Sequence, residues 1–335
     1  MSRRKKDIQE LIDYVYKKVK PNKKGNLATY IPQLAKADPN LFGICFVACD
    51  GKIYKAGDAN KIIPIESISK VFTAAMGADE LGIDVMDDNI GNMGSSLAFN
   101  SVIGAVLTPT HTVNPFVNQG AIATTSLFYQ KDKSAFREKI LSNMNKYAGR
   151  ELSFSHPRYK SEGATNSTNM ALAYLLKSYN RIYGDVNDTV DVYTAQCSTN
   201  VSAQDLATMA CVFAKGGQHP HSGERIISKE AATYIYRALK GGGLYEYSAK
   251  WATDVGDISA KSGVGGGILI IIKGVGGIGL VSPPLDKIGN SVRGIQAGTM
   301  LAKKLNTLFQ TNAQFCKNKK TRNRKIKKNK KTRRR

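Results

Sequence analysis

The strand-forming segments of this chain lie near its two ends, and the middle has a helical pattern. Residues 41–49 are rich in β-forming side chains, Asp50-Gly51 is typical of a hairpin turn, and residues 52–57 continue as a second strand. Residues 258–284 contain three further strands punctuated by glycine. Because strands joined by tight turns pair antiparallel, we predict one antiparallel sheet built from both ends of the chain.

The segment between about Gly82 and Asp254 shows few strand signals and predicts a helical subdomain. Its helices are predicted near Ser126, near Phe136, and over residues 169–179, 202–215 and 228–239. Amphipathic helices are also predicted at the chain ends, over residues 7–20 and 289–309. The predicted fold class is therefore α/β of the α+β type, with the antiparallel sheet flanked by helices.

Ser67 and Lys70 stand three residues apart at the start of a helical pattern that runs to Leu81 and stops at Gly82. Side chains at this spacing share a helical face, so the Lys70 amine is expected to reach the Ser67 hydroxyl. A serine hydroxyl is a poor nucleophile until an adjacent base activates it. Lys70 can be that base only as a neutral amine, which requires burial or a neighbouring cation to lower its pKa.

The formal net charge of +23 is concentrated at the carboxyl end of the chain. Residues 317–335 contain thirteen Lys or Arg and no acid, and so supply more than half of the excess charge. Such a density of like charge predicts a disordered tail that binds polyanions with strong salt dependence. Because the tail has almost no aromatic residue to stack on bases, the predicted binding is non-specific.

Cysteine usage and hydropathy predict a reduced, cytoplasmic protein. The cysteines are odd in number and form no C-x-x-C pair, which argues against a disulfide framework and against a zinc site. The basic amino terminus has no apolar run after it, and no stretch reaches the ~20 apolar residues that cross a membrane. In a eukaryotic host the basic tail could direct the protein to the nucleus. The cysteines are Cys45, Cys49, Cys197, Cys211 and Cys316.

Two other patterns point to different function classes and are set aside. Gly274, Gly276 and Gly279 match the G-x-G-x-x-G dinucleotide pattern, but they run into a strand instead of opening a helix. His219-Pro220-His221 suggests a metal pair, yet with no acidic or cysteine neighbour it is interpreted as a surface loop. We predict no metal site and no cofactor.

With Ser67-x-x-Lys70 early in the chain and Lys261-Ser262-Gly263 on a late strand, the sequence resembles the serine β-lactamase and penicillin-binding superfamily. A collinear set of segments from about Gly25 to Leu308 is similar to one branch, the serine-dependent glutaminases. The segments are TYIPQLAKADPNLFG, IESISKVF, NPFVNQGAI, YKSE with Asn169 seven residues later, DVYTAQCS, GLYEYS, AKSGVGGGI and SPPLDKIGNSVRG.

The resemblance implies hydrolysis of the side-chain amide of L-glutamine to L-glutamate and ammonia through an acyl-enzyme. Ser67 would attack the amide and Lys70 would take its proton. Tyr245 would help to relay protons, and Lys261 would be a second cation that lowers the pKa of Lys70 and orders the site. The backbone N–H groups of Ser67 and Val264 would form the oxyanion hole.

For the amino-acid end of glutamine, the resemblance implies a second set of residues. Glu162 would hold the α-ammonium, while Tyr30, Asn118 and Asn169 would hold the α-carboxylate. Tyr193 corresponds to a further tyrosine in the site. Family members assemble as dimers or tetramers, so a homo-oligomer is expected.

The resemblance gives the extent of a catalytic domain, and the leader before it and the tail after it lie outside the resemblance. The leader is 1–24, the catalytic domain is 25–310 (sheet about 25–66 and 255–310, helices about 67–254), and the disordered polybasic tail is 311–335. Some positions depart from the family pattern without removing a chemical group from the mechanism, namely Gln119, Thr168, Ser248-Ala249-Lys250 and Ser259.

Two alternatives to a glutaminase remain open on the sequence. A penicillin-recognising serine hydrolase has the same superfamily plan, but no signal peptide is visible to take it to the cell envelope. An inactive enzyme fold whose tail binds nucleic acid would keep the motifs without turnover.

Overall fold

The computed structural model describes residues 2–94 and 97–309, and of residues 2–6 the backbone alone. Its strands are β1 (Gly43–Ala48), β2 (Ile53–Gly57), β3 (Ile63–Pro64), β4 (Asn200–Val201), β5 (Ser259–Gly263), β6 (Gly267–Ile272) and β7 (Gly276–Val281). Within the described residues five strands form one antiparallel sheet in the order β2-β1-β7-β6-β5, and β3 pairs with β4. The predicted antiparallel sheet from both chain ends is confirmed.

The helices cover the sheet on both faces and form most of the middle of the chain. Short 3-10 turns occur at Leu34–Lys36, Glu66–Ile68 and Tyr245–Tyr247. The α-helices are α1 (Ser2–Val19), α2 (Lys70–Glu80), α3 (Ile83–Asn89), α4 (Val102–Leu107), α5 (Asn118–Ser126), α6 (Lys133–Ala148), α7 (His156–Gly163), α8 (Ser167–Ser178), α9 (Val186–Cys197), α10 (Ala203–Ala214), α11 (Lys229–Gly242), α12 (Ser248–Val255) and α13 (292–309).

The central strands are buried on both faces, which is why they are continuously apolar and do not alternate. On β6, Ile268, Ile270 and Ile272 pack in one cluster with the apolar faces of α1 and α13. Leu269 and Ile271 point to the opposite face and pack in the cluster that includes α10 and the helical subdomain. The sheet is therefore the layer that joins the two hydrophobic cores.

Glycines on β7 allow α10 to lie directly against the sheet. A Cβ on Gly277 would fall 2.2 Å from the Ala207 carbonyl oxygen, and one on Gly279 would fall 2.0 Å from that of Ala203. Neither position can therefore carry a side chain without moving the helix. Gly276 and Gly279 of the G-x-G-x-x-G pattern thus lie in an antiparallel strand, as the sequence context predicted, and Gly279 is one of the two glycines that permit this packing.

Some predictions need correction. The helix predicted to start at Ser67 starts at Lys70 and is preceded by the Glu66–Ile68 3-10 turn. The β3–β4 pair was missed because strands of two residues carry no periodic pattern. His219 is buried, at 5% exposure, instead of lying on a surface loop, and only the neighbouring His221 is exposed.

Two further sequence predictions concern a membrane span and the basic tail. Among residues 2–94 and 97–309, none of the helices combines the length and apolar composition of a membrane span. The predicted polybasic tail, 311–335, lies outside the described residues.

Candidate active site

Ser67 lies in the tight turn that connects the small β3–β4 sheet to α2. The Ile65 N–H donates to the Thr199 carbonyl at 2.8 Å and anchors the chain just before the serine. Glu66 then adopts φ = +50°, a left-handed conformation that is unfavourable for a residue with a side chain. The turn leaves Ser67 8% exposed at the wall of a cavity.

The cavity beside Ser67 has a volume of about 300 Å³, at the small end of the range for ligand pockets. A space of this size suits a small molecule and not a polymer. It brings together predicted residues that are up to 234 positions apart in the chain. These are Tyr30, Ser67, Asn118, Glu162, Asn169, Tyr193 and Val264.

The Lys70 amine is buried and is oriented by oxygen acceptors on the helical side. Its Nζ donates to Asn118 Oδ1 at 2.6 Å and to the Phe116 carbonyl at 3.4 Å. Asn118 Oδ1 also accepts from the Tyr193 hydroxyl at 3.3 Å, and the Asn118 amide donates to Asn169 Oδ1 at 2.9 Å. Among the described residues, the Asn118 side chain thus links Lys70 to Tyr193 and Asn169 by hydrogen bonds.

Burial increases the fraction of Lys70 that is neutral near physiological pH. Burial lowers the pKa of Lys70 to about 8, against the opposing influence of the Cys197, Glu162 and Glu66 side chains. An unperturbed lysine would be almost fully protonated there and could not accept a proton. The burial that the sequence-based mechanism required is therefore present.

Tyr245 and Lys261 stand behind Ser67, on the sheet side of the site. Tyr245 adopts φ = +57°, and its hydroxyl donates to the Ser262 carbonyl at 3.2 Å. Lys261 Nζ donates to the same carbonyl at 2.8 Å and lies 4.5 Å from the centre of the Tyr245 ring. Burial raises the pKa of Tyr245, and the adjacent Ser67 hydroxyl opposes that rise.

The two buried lysines, Lys70 and Lys261, lie close enough for the charge of one to disfavour protonation of the other. Burial lowers the pKa of Lys261 well below its ordinary value, and the neighbouring Lys70 lowers it further. This direction favours a neutral Lys261 beside Lys70. The second-cation role that the resemblance implied stays a prediction.

Two backbone N–H groups are available to an oxyanion at Ser67. Among the described residues, neither the Ser67 nor the Val264 N–H has a hydrogen-bond acceptor within the protein. The turn that carries Val264 lies close to the turn that carries Ser67. A Cβ on Gly263 would be only 2.7 Å from the Ile65 carbonyl oxygen. Glycine at this position therefore permits the approach of the two donors.

Two carboxyl groups lie close together in the cavity beside Ser67. Glu66 and Glu162 both line it, and one carboxylate oxygen of each lies within 4.8 Å of the other. Burial raises the pKa of Glu66 to about 8, although Arg158 and Lys70 pull it down. Burial and the Glu66 charge raise the pKa of Glu162 well above its usual range, with Lys70 opposing. Such a pair favours a ligand with a cationic group.

The sequence pattern of the glutaminase family matches residues 25–309, which include Ser67, Lys70 and every cavity residue named above. The chain belongs to the glutaminase family. A glutaminase of Colwellia psychrerythraea is 44% identical over 298 residues, which cover 89% of this chain and 96% of that relative.

Solved glutaminase structures have the same fold. One, described as the probable glutaminase ybaS, has a TM-score of 0.86 at 40% identity and covers 89% of this chain and 96% of its own. The Bacillus subtilis glutaminase YbgJ has a TM-score of 0.78 at 29% identity, covering 89% of this chain and 97% of its own. That structure is a covalent complex with 5-oxo-L-norleucine, formed by reaction with 6-diazo-5-oxo-L-norleucine. The predicted β-lactamase-like fold is confirmed.

The cavity beside Ser67 also contains residues that the sequence did not single out. Glu66 was visible only as part of the serine motif, and Cys197 only as part of DVYTAQCS. Phe99 packs on Tyr245 with ring centres 4.9 Å apart and helps to close the cavity. No signal in the sequence marked Phe99, because it lies in an irregular segment.

A larger cavity of about 560 Å³ lies between α3 and α11. It contains none of the predicted glutaminase residues, and its Asp87 carboxylate is already bonded to the Tyr234 hydroxyl at 3.0 Å. The cavity beside Ser67 is therefore the candidate active site.

Proposed function

We propose that this chain is a glutaminase that hydrolyses the side-chain amide of L-glutamine to L-glutamate and ammonia, with Ser67 as nucleophile and Lys70 as base. The observation that carries the proposal is the placement of Lys70. It is 1% exposed, begins the helix that follows Ser67, and has a pKa of about 8. Membership of the glutaminase family supplies the substrate. The covalent complex of the YbgJ relative supports a covalent intermediate.

In the proposed acylation step, the Ser67 oxygen attacks the amide carbon of glutamine and its proton passes to Lys70. The N–H groups of Ser67 and Val264 stabilise the resulting oxyanion, each such donor being worth ~3 kcal/mol in comparable enzymes. The carbon–nitrogen bond then breaks, and the proton returns from Lys70 to the leaving nitrogen with help from the Tyr245 hydroxyl. Ammonia leaves, and the glutamyl ester of Ser67 remains.

Deacylation repeats the same proton transfers with water as the nucleophile. Water loses a proton to Lys70 as it attacks the ester carbon, and the oxyanion occupies the same pair of N–H donors. When the ester bond breaks, Ser67 regains a proton from Lys70 and glutamate leaves. Because side chains of this protein carry every proton, the proposal invokes no cofactor.

The cavity can orient the amino-acid end of the substrate. Glu162, paired with the charge of Glu66, is proposed to hold the α-ammonium. Tyr30 and Asn169 are proposed to donate to the α-carboxylate, and Tyr30 is 58% exposed at the mouth of the cavity. Asn118 Oδ1 already accepts a hydrogen bond from the Lys70 amine. Asn118 is therefore proposed both to orient Lys70 and to contribute to binding of the α-carboxylate.

The test is ammonia release from glutamine, and from asparagine, by the protein and by its Ser67→Ala variant, with and without phosphate. We expect turnover of glutamine by the protein and none by the variant, while circular dichroism shows both folded. Ser178→Ala is the matched control, because Ser178 lies at the end of α8 away from the cavity. Full turnover by Ser67→Ala would refute the proposed mechanism.

We further propose a homo-oligomer. The helix α4 exposes Ile103, Val106 and Leu107 at 57%, 50% and 72%, a density of exposed apolar side chains that is typical of interaction surfaces. Sedimentation of the protein and of Leu107→Glu tests this, with a smaller assembly expected for the variant. An unchanged assembly would remove α4 from the interface.

The predicted catalytic domain, 25–310, and the tail, 311–335, stay proposals, and so does the cytoplasmic location. The family match over residues 25–309 supports the domain bounds. Truncation after Leu308 is expected to retain glutamine hydrolysis and to lose salt-sensitive binding to a polyanion such as heparin. If the truncated chain still binds heparin equally well, the tail is not the binding element.

A further inference from the structure

Three potential metal ligands meet in the active-site cavity. Glu66 comes from the serine turn, Glu162 from α7 and Cys197 from the end of α9. One ligand atom of each, two carboxylate oxygens and the thiol sulfur, lies within 4.8 Å of the others. All three residues line the cavity beside Ser67.

The carboxylates of this cluster have no partner within the described part of the protein. Glu66 is 3% exposed, yet its carboxylate makes neither a hydrogen bond nor an ion pair among the described residues. The Glu162 carboxylate is likewise without such a partner. Carboxyl groups in such a site ionise more readily beside a cation, because an unpaired buried charge is costly.

The ammonium group of an amino acid satisfies the two carboxylates but not the thiol. Among the residues that the structure describes, Cys197 Sγ has only a weak contact with Ser69 Oγ, at 3.9 Å, and Cys197 is 2% exposed. A thiol beside two carboxylates is a ligand set for a borderline-soft divalent cation, which takes thiolate and carboxylate together.

We propose that Glu66, Glu162 and Cys197 form a binding site for Zn²⁺ or a similar thiophilic divalent cation inside the substrate cavity. Zinc bonds are ~2.0–2.3 Å long, so its ligand atoms stand ~3.5 Å apart, and side-chain adjustments of about 1 Å complete the site. The fourth position faces the open cavity and takes water. Binding releases to solvent the Cys197 proton and any proton held by the Glu66 and Glu162 carboxyls, because the thiolate and the carboxylates are the ligands.

A cation at this position excludes the α-ammonium of the substrate. Zinc is therefore expected to inhibit competitively with glutamine and to be reversed by a chelator. This consequence rests on the proposed function, in which Glu162 holds the ammonium. The binding itself does not, because it depends only on the three side chains.

Cobalt provides a direct readout of the thiolate ligand. Chelator-treated, reduced full-length protein is titrated with Co²⁺, and the near-ultraviolet absorption is followed for thiolate-to-cobalt charge transfer. We expect a band that saturates at one cobalt per chain and is lost in Cys197→Ser. Cys49→Ser and Cys316→Ser are the matched controls and are expected to keep it.

Two further variants keep the test decisive. Glu66→Gln keeps the thiol, and we expect it to weaken cobalt binding by more than the ~10–100-fold that loss of an outer-shell partner costs. Ser67→Ala, expected to be inactive, must retain the band, which separates metal binding from turnover. The proposal is overturned if the protein shows no band, if the band depends on Cys49 or Cys316, or if Glu66→Gln binds cobalt as tightly as the unmodified chain.

Discussion

Replacement of Lys70 by methionine tests the base most sharply, because the change removes the amine and keeps most of the buried volume. The fully buried position tolerates an uncharged, unbranched side chain, so the fold is expected to persist. Loss of a general base typically costs ~10²–10⁴-fold in rate, and we expect kcat/KM for glutamine to fall within or beyond that range. Ammonia release in a chelated buffer is the assay.

The pKa of Lys70 gives this prediction a second, independent signature. A folded pKa of about 8 leaves Lys70 mostly protonated at neutral pH, and deprotonation as pH rises creates the active base. With that value kcat/KM of the unmodified protein should rise about tenfold between pH ~7 and pH ~9 and level off above. Lys70→Met should lack this rise. The Lys139 amine pairs with Glu80 on the surface, so Lys139→Met is the control and should keep the rise in kcat/KM. Unchanged turnover or an unchanged pH profile in Lys70→Met would refute the role of Lys70.

Further predictions concern substrate recognition and stability. Glu162→Gln removes the charge that faces the α-ammonium, and KM for glutamine should rise ~10–100-fold with a smaller change in kcat, as measured by initial rates. A decrease in kcat with KM unchanged would contradict that assignment. Ser202→Ala removes the N-cap of α10, where Ser202 and Asp205 form a capping box, and urea denaturation should show a loss of ~1 kcal/mol. A loss no larger than that of Ser178→Ala would show that the cap contributes nothing.

The parts of the fold that the sequence predicted well are those buried on one side. Helix α11 has a clear apolar face, and its prediction over residues 228–239 falls within three residues of Lys229–Gly242. The helix predicted over residues 202–215 is also close to α10, whose start is fixed by the capping box of Ser202 and Asp205 and not by one-sided burial. One-sided burial produces the periodic pattern that sequence analysis detects.

Elements buried on every side were harder to predict. Nine of the twelve residues of α9 are buried, so its amphipathic period is weak, although it carries Tyr193 and Cys197. The position of Tyr193 in the site followed from the resemblance alone. The pairing of Glu66 with Glu162 could not be foreseen, because it depends on how α7 packs beside a strained turn.

The most direct test of the central claim is to map the residue that reacts with 6-diazo-5-oxo-L-norleucine, the reagent that formed the covalent complex of the YbgJ relative. After reaction and proteolysis, mass spectrometry of the peptides identifies the modified side chain. The account predicts one adduct per chain, on Ser67, and none in Ser67→Ala. An adduct on Cys197, which lines the same cavity, or a labelled Ser67→Ala variant, would contradict it.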